Sequence, residues 1–439
     1  MAKTYDTYKN SGIAWIGEIP GEWEVCRLKS QFKASKGLNI TKENLKEEGY
    51  PVISYGQIHA KNNCGTSISQ ELIRFISNSY IDSNPECLTN KGCFIFADTS
   101  EDIEGCGNAV YVNSGSIFAG YHTIILKPKF GTSNKYLAYL FLTDCWRSQI
   151  RASVSGIKVL SITQKIINTT SILLPPLSVQ QSISSFLDEK CGEIDSLISI
   201  QEEMISELLA YKQSVITEAV TKGLDKKAKM KNSGVEWIGD IPEEWVKDKI
   251  FRVFSVIGSG TTPKATDDRN FEGDINWIQS GDINGGKMFE CKNKISENVL
   301  NQYSTLKIYK APFIIVAMYG ASVGNISISN IDGCVNQACC VMSNSNQCFN
   351  YLFYAIKAAK DYLIYRAEGG GQPNISQDKL KNLWLPLPPL PVQQAIATYL
   401  DEKTSQIDSL IALKQSKIES LKEYKKSIIY EYVTGKKRV

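Results

Sequence analysis

The chain has 439 residues, 43% of them hydrophobic and 22% charged, with a formal net charge of +3. These values lie near globular averages, so they exclude a disordered chain, a fibrous repeat and a small scaffold that needs disulfide staples; the length allows two or three domains with ordinary cores. A charge this close to neutral admits a nucleic-acid partner only if basic groups are gathered on particular faces.

The opening Met1-Ala2-Lys3-Thr4-Tyr5-Asp6 lacks the apolar core of a signal peptide, and the 12 cysteines are scattered. A cytoplasmic, reducing environment is therefore expected. The first distinctive element is Asn10-Ser11-Gly12-Ile13-Ala14-Trp15-Ile16-Gly17-Glu18-Ile19-Pro20-Gly21-Glu22-Trp23, which returns as Asn232-Ser233-Gly234-Val235-Glu236-Trp237-Ile238-Gly239-Asp240-Ile241-Pro242-Glu243-Glu244-Trp245. Repeats are the first thing to establish in a long chain, because each copy is one structural unit. Behind the opening block, short β-branched and aromatic runs such as Gly92 to Ala97 and Thr123 to Lys127 predict strands, and Lys135 to Arg147 predicts a helix.

Leu174-Pro175-Pro176-Leu177-Ser178-Val179-Gln180-Gln181 then stops extended chain, and a helical pattern of roughly 40 residues without internal proline follows, a rod of roughly 60 Å. Leu187, Ile194, Leu208 and Val215 recur at multiples of seven, and Ile198, Ile205 and Ala219 fill the second position of a heptad.

The second copy repeats this order. Ile53-Ser54-Tyr55-Gly56-Gln57-Ile58 matches Ile278-Gln279-Ser280-Gly281-Asp282-Ile283, and Phe94-Ile95-Phe96-Ala97 matches Phe313-Ile314-Ile315-Val316. The apolar positions agree while the polar ones differ. The longest apolar stretch, Ala311 to Val323, is too short to span a bilayer, so no membrane segment is expected. Asn350 to Tyr365 predicts a helix. Leu387-Pro388-Pro389-Leu390-Pro391-Val392-Gln393-Gln394 leads into a second seam of Leu400, Ile407, Leu421 and Ile428 against Ile411 and Ile418. Its interior is nine residues shorter than that of the first copy.

The expected class is α+β, two similar mixed α/β domains with mixed or mainly antiparallel sheets and two long helices. A pseudo-two-fold repeat would pair the helices antiparallel as a coiled coil. Alternatively, each helix packs on its own domain as an amphipathic element. Gln201 and Lys414, with Lys212 and Lys425, interrupt the seam, either fixing register or reaching into solvent. The expected boundaries are 1–175 and 224–388 for the two domains, 176–223 for the first helix, and 389–439 for the second helix with a basic tail.

The Trp-Ile-Gly-x-Ile-Pro-x-x-Trp opening, the variable interior, the Pro-Pro-Leu-x-Val-Gln-Gln block and the Leu-Asp-Glu-Lys…Ile-Asp-Ser-Leu-Ile helix, each present twice, resemble the specificity subunit of type I restriction-modification enzymes across nearly the whole chain. The resemblance implies two target-recognition domains that each read half of a split double-stranded DNA site. It further implies helices that set their separation and dock two methyltransferase subunits, with restriction subunits joining through those. S-adenosylmethionine, ATP and Mg²⁺ would belong to the partners, with no cofactor in this chain. Two unlike heads on a spacer suit a bipartite asymmetric site, with Lys and Arg on phosphates and polar loop side chains on base edges. A two-headed protein-interaction scaffold is the competing reading.

Candidate DNA contacts are Lys36, Tyr55, Gln57, His59, Ser100 and Lys158 in the first domain. In the second they are Thr261, Thr262, Lys264, Ser280, Asp282, Tyr319, Ser322 and Gln372, on glycine-containing loops where backbone can approach phosphate. The bland alternative is ordinary turns. Other chemistry has little material. Gly258-x-Gly260 lacks the third glycine of a dinucleotide loop, and Cys334, Cys339, Cys340 and Cys348 lack paired metal-ligand spacing. The only histidines are His59 and His122. Leu-Pro-Pro-Leu has leucine where a base-methylating loop needs an amide or acid. Asp188-Glu189-Lys190 superficially resembles a nuclease triad, but its repetition at Asp401-Glu402-Lys403 favours structure or docking. No phosphate-binding Gly-Lys-Ser/Thr loop is present.

Overall fold

The computed structural model describes residues 4–13, 15–130, 134–156, 158–264, 268–367 and 374–439. They form two compact units, residues 1–201 with 416–439 and residues 202–415.

In the first unit the opening block is a two-stranded ribbon, Tyr8–Asn10 antiparallel to Glu18–Pro20. Fully buried Trp23 closes it, edge-on to Tyr136 at 6.2 Å between ring centres. One four-stranded antiparallel sheet runs in the order Ala109–Tyr111, Phe94–Ala97, Thr123–Pro128, Phe32–Lys36. The other runs Arg74–Ile76, Tyr50–Ile53, Ser116–Ala119, Leu88–Asn90, and its central pair is parallel. Phe94 and Phe96 enter one core while Ile95 and Ala97 enter another. Both faces of that strand are therefore covered, which is why it reads as a continuous apolar run rather than an alternating one.

The second unit repeats the plan. Met230–Asn232 pairs with Asp240–Pro242. A five-stranded sheet runs Val256–Gly258, Cys339–Ser343, Phe313–Ala317, Ile326–Ser329, Lys287–Met288. A three-stranded one runs Lys294–Ile295, Ile275–Ile278, Cys334–Val335. Each contains one parallel pair, so the sheets are mixed as expected. Cys334, Cys339 and Cys340 are buried strand residues, and among the described residues no group of three or more His, Cys, Asp or Glu could hold a metal.

The two predicted interior helices are each divided. Lys135–Leu142 stops at Thr143, which is extended and caps Asp144–Arg151 by accepting from the Trp146 amide. Phe349–Ala358 is likewise separated from Lys360–Tyr365 by Ala359. Apolar periodicity continues across both joints, so spacing alone does not reveal them.

The long helices are Leu177–Lys222, 46 residues, and Leu390–Val433, 44 residues. The first glutamine of each Gln-Gln pair holds the entry turn: Gln180 Nε2 donates to the Pro175 carbonyl and Gln393 Nε2 to that of Pro388, both at 2.8 Å. Leu187, Ile194, Val215, Leu400, Ile407, Ile411, Ile418, Leu421 and Ile428 are buried along the seam, and Ile198, Ile205 and Leu208 are half-buried. Each unit contains a segment of both helices, packed on each other and running antiparallel. In the first, Phe186 lies against Tyr432 and Lys425 pairs with Asp195 at 2.7 Å. In the second, Val220 shares a core with Ile396, and Lys212 pairs with Asp408 at 2.6 Å. The helices therefore pair with each other as well as covering their domains. Because the repeat relates Asp195 to Asp408 and Lys212 to Lys425, the seam lysines make one ion pair twice, which fits their use in fixing register.

The duplicated Asp-Glu-Lys segment is explained in the same way. Asp188 accepts from the Tyr139 hydroxyl at 2.6 Å and Asp401 from that of Tyr354 at 2.7 Å, fastening each helix to its domain. No helix among the described residues is long and apolar enough to cross a membrane.

Candidate nucleic-acid interface

In each unit the segment after a central strand turns sharply and carries its own cap. Ser54 N donates to Gln57 Oε1 at 3.1 Å in the first unit, and Gln279 N donates to Asp282 Oδ2 at 2.8 Å in the second. Thus Gln57 and Asp282 each spend one polar atom on the turn. Ser280 begins the second turn and is half-buried.

The first unit brings two of the sequence-predicted loops together around an open cleft of about 900 Å³, lined by Tyr55, His59, Ser100, Asp102, His122 and Arg147 among others. Tyr55 meets Tyr121 and His122 edge-on at 5.6 and 5.4 Å between ring centres. His59 is bonded at both ring nitrogens: Nε2 to the Thr99 carbonyl at 2.8 Å and Nδ1 to Asn108 Nδ2 at 3.2 Å. A carbonyl only accepts, so Nε2 carries the proton and Nδ1 accepts from the amide. Ser100 is buried, and its hydroxyl donates to the Asp102 carbonyl at 2.7 Å. Both side chains brace the wall of the cleft. Lys36, at the end of its strand, and Lys158, beside the cleft-lining Val159, are exposed cations.

Sequence reasoning missed Arg147. Its Nε donates to the Phe141 carbonyl at 2.9 Å and Nη1 to Asn108 Oδ1 at 2.8 Å. Burial pulls the guanidinium down to about 10, with Arg151 adding to the effect, so it stays charged at neutral pH. Among the described residues it has no ion-pair partner.

The predicted contacts of the second unit lie on four stretches of the chain, three of them among the described residues. The Thr262 hydroxyl bonds Gln337, the Thr261 carbonyl accepts from Trp277 Nε1 at 3.2 Å, and the Lys264 amide donates to the Tyr303 hydroxyl at 3.2 Å. Tyr319 and Ser322 are half-buried on the loop that leads to Asn325. Gln372 and the neighbouring glycines 369–371 lie outside the described residues.

The seam residues expected to serve both as spacer and as docking surface are largely occupied by the helix pairing. A second, exposed apolar stripe was overlooked: Leu197, Ile200 and Tyr211 on the first helix, matched by Leu410, Leu413 and Tyr424 on the second. Its repetition in sequence was the available signal, hidden because the heptad seam already accounted for most apolar positions.

Known proteins share this architecture. A family model described as type I restriction modification DNA specificity domain matches residues 20–209 and 242–423. The type I restriction enzyme MjaVIII specificity subunit of Methanocaldococcus jannaschii is 26% identical over 443 residues, covering 96% of this chain and 94% of that one. The EcoBI specificity subunit of Escherichia coli is 26% identical over 281 residues, covering 60% of this chain and 57% of that one. Among solved structures, a chain from a study of complex assembly and conformational transition in the type I R-M system superposes with a TM-score of 0.70 at 18% identity, covering 94% of this chain and 98% of that one. The HsdS subunit from Thermoanaerobacter tengcongensis gives 0.50 at 17% identity, covering 95% and 98%. With both of its interiors and most of both long helices matched by the same domain model, the chain belongs to the type I restriction-modification DNA specificity family.

Proposed function

We propose that this chain is the non-catalytic sequence-reading subunit of a type I restriction-modification complex and recognises a bipartite, asymmetric site in double-stranded DNA. One observation carries this: the two units share their frame, down to the capped turn and the helix-anchoring Tyr–Asp bond, and differ in the polar residues of their loops. Two like heads with unlike loops suit two unlike half-sites, whereas a symmetric dimer would read a palindrome.

In this reading residues 1–175 and 224–388 are the target-recognition domains. Lys36, Lys158 and Lys264 neutralise phosphates, and Gln57, Tyr55, Thr261, Thr262, Ser280, Asp282, Tyr319, Ser322 and Gln372 supply base-edge or sugar contacts. His59 and Ser100 act by holding the first loops in place. The helices 176–223 and 389–439 space the heads and dock two methyltransferase subunits, through which restriction subunits join. S-adenosylmethionine, ATP and Mg²⁺ reside on those partners, and the complex works in the cytoplasm.

The test is sequencing of methylated bases in DNA from cells that carry this chain with its partner methyltransferase. A split motif with two unlike halves is expected, and it should vanish when this chain is deleted. Methylation that persists without the chain, together with salt-insensitive association with proteins in place of DNA, would favour the interaction-scaffold reading.

A further inference from the structure

The polar group at the heart of the first cleft has a counterpart in the second unit that the loop sequences do not advertise. In the first, Arg147 donates to Asn108 Oδ1 at 2.8 Å, and Asn108 Nδ2 bonds His59 at 3.2 Å, one residue beyond the capped turn Tyr55–Ile58. In the second, Lys360 Nζ donates to Asn325 Oδ1 at 3.0 Å, and Asn325 Nδ2 donates to the carbonyl of Ile283, one residue beyond the capped turn Ser280–Asp282. Both cations come from the second segment of a divided interior helix, Arg147 within Asp144–Arg151 and Lys360 at the start of Lys360–Tyr365. Each asparagine follows a glycine with positive φ, Gly107 at 94° and Gly324 at 76°. A Cβ on Gly107 would stand 3.3 Å from the Arg147 side chain, and one on Gly324 3.3 Å from that of Lys360. The positive φ favours glycine at both positions, and a Cβ there would press on the stems of Arg147 and Lys360.

The chemistry of the joint is directional. A cation can only donate, so the amide oxygen must face it; the amide nitrogen is then left as the donor towards the turn. A charge-assisted bond on one side and a short polar link on the other fix the asparagine plane, and the turn with it. In the first unit His59 carries the link on to the Thr99 carbonyl, tying the two cleft loops into one surface.

Building on the function proposed above, we propose that Asn108 and Asn325 are positioning residues for DNA readout, each coupling the recognition turn of its own unit to a buried-side cation, Arg147 or Lys360, and so governing discrimination at one half-site alone. Neither asparagine touches DNA in this scheme. Base readout needs donors and acceptors held within a fraction of an ångström, which a loop on the surface does not achieve unaided.

The test uses the full chain assembled with its methyltransferase, once the wild-type motif has been read from methylated DNA. Methylation rates are compared on oligonucleotides carrying the cognate site or a single base change in either half. Asn108→Asp keeps an oxygen for Arg147 but removes the N–H that His59 accepts; discrimination in one half should fall on the order of tenfold with the other half unchanged. Asn325→Asp should do the same at the opposite half, where a carboxylate would face the Ile283 carbonyl. Arg147→Lys, the second unit's own choice, should keep discrimination within about threefold, whereas Arg147→Met should lose it, on the scale of a single base contact. Equal losses at both halves, including those from a complex that does not assemble, or no loss in Asn108→Asp, overturn the positioning role while the split motif stands. A wild-type complex without a split motif overturns the proposed function as well.

Discussion

Burial keeps several thiols protonated far up the pH scale. Cys339 and Cys340 are pushed up to about 12 and Cys191 and Cys334 to about 11, from an ordinary value of 9.0, chiefly by desolvation. Because the folded values are raised, the folded chain retains protons that the unfolded chain has released above pH 9. The stabilisation is fully present below that pH and is lost as pH climbs towards 11–12. Lys357 works the other way: burial pulls it down to about 8, so its contribution to stability rises with pH between about 8 and its ordinary 10.5. Four thiols outweigh one amine, so urea midpoints should be level between pH 7 and 8.5 and should fall steadily above 9. A midpoint constant to pH 10.5 would show that these thiols are not buried. At this scale the sequence is least legible. Asn108 and Arg147 lie far apart in the chain, and nothing in their spacing pairs them. The roles of His59 and Ser100 as braces likewise depend on Thr99 and Asp102 arriving beside them through folding.

Among the elements, each long helix carries two apolar surfaces, one along the seam and one facing water. The heptad seam is buried or half-buried, while Leu197, Ile200, Leu410 and Leu413 are 46%, 46%, 46% and 67% exposed. Apolar groups repeated on two helices and left in water are suited to two copies of one partner. Leu197→Glu with Ile200→Glu, and Leu410→Glu with Leu413→Glu, touch no core and should leave each unit's melting temperature within about 2 °C. Each Leu or Ile covered by a partner contributes about 1.5–3 kcal/mol. Each pair of changes should therefore weaken binding of one methyltransferase copy at least tenfold in sedimentation or titration, and all four together should abolish assembly. Full assembly by the fourfold variant would remove this stripe from the docking surface. The helices themselves were legible because a seven-residue repeat without proline states its own period. The breaks at Thr143 and Ala359 were not, since a cap substitutes for helical bonds without disturbing apolar spacing.

At the level of the whole molecule, the spacer role proposed for the long helices leads to a length prediction. One heptad inserted after Gln201 and a matching one after Lys414 preserves the seam and adds about 10 Å to each helix. The gap between the half-sites should then widen by about three base pairs, with both half-sites unchanged in methylated-DNA sequencing. A change in either half-site, with the gap constant, would contradict the spacer role. Legible along the chain is everything written in short-range terms or written twice: the duplicated opening block, the apolar central strands, the long helices with their seam, and the division into two like units. These depend on local geometry and apolar period, which neighbouring residues dictate. Folding settles how the helices use their repeated charges, with Asp195 meeting Lys425 and Asp408 meeting Lys212, and which loop side chains, such as His59 and Ser100, are committed to internal bonds. Those outcomes depend on which groups meet after the chain has folded, because a hydrogen bond or ion pair is set by position to within a fraction of an ångström and distance along the chain does not specify it.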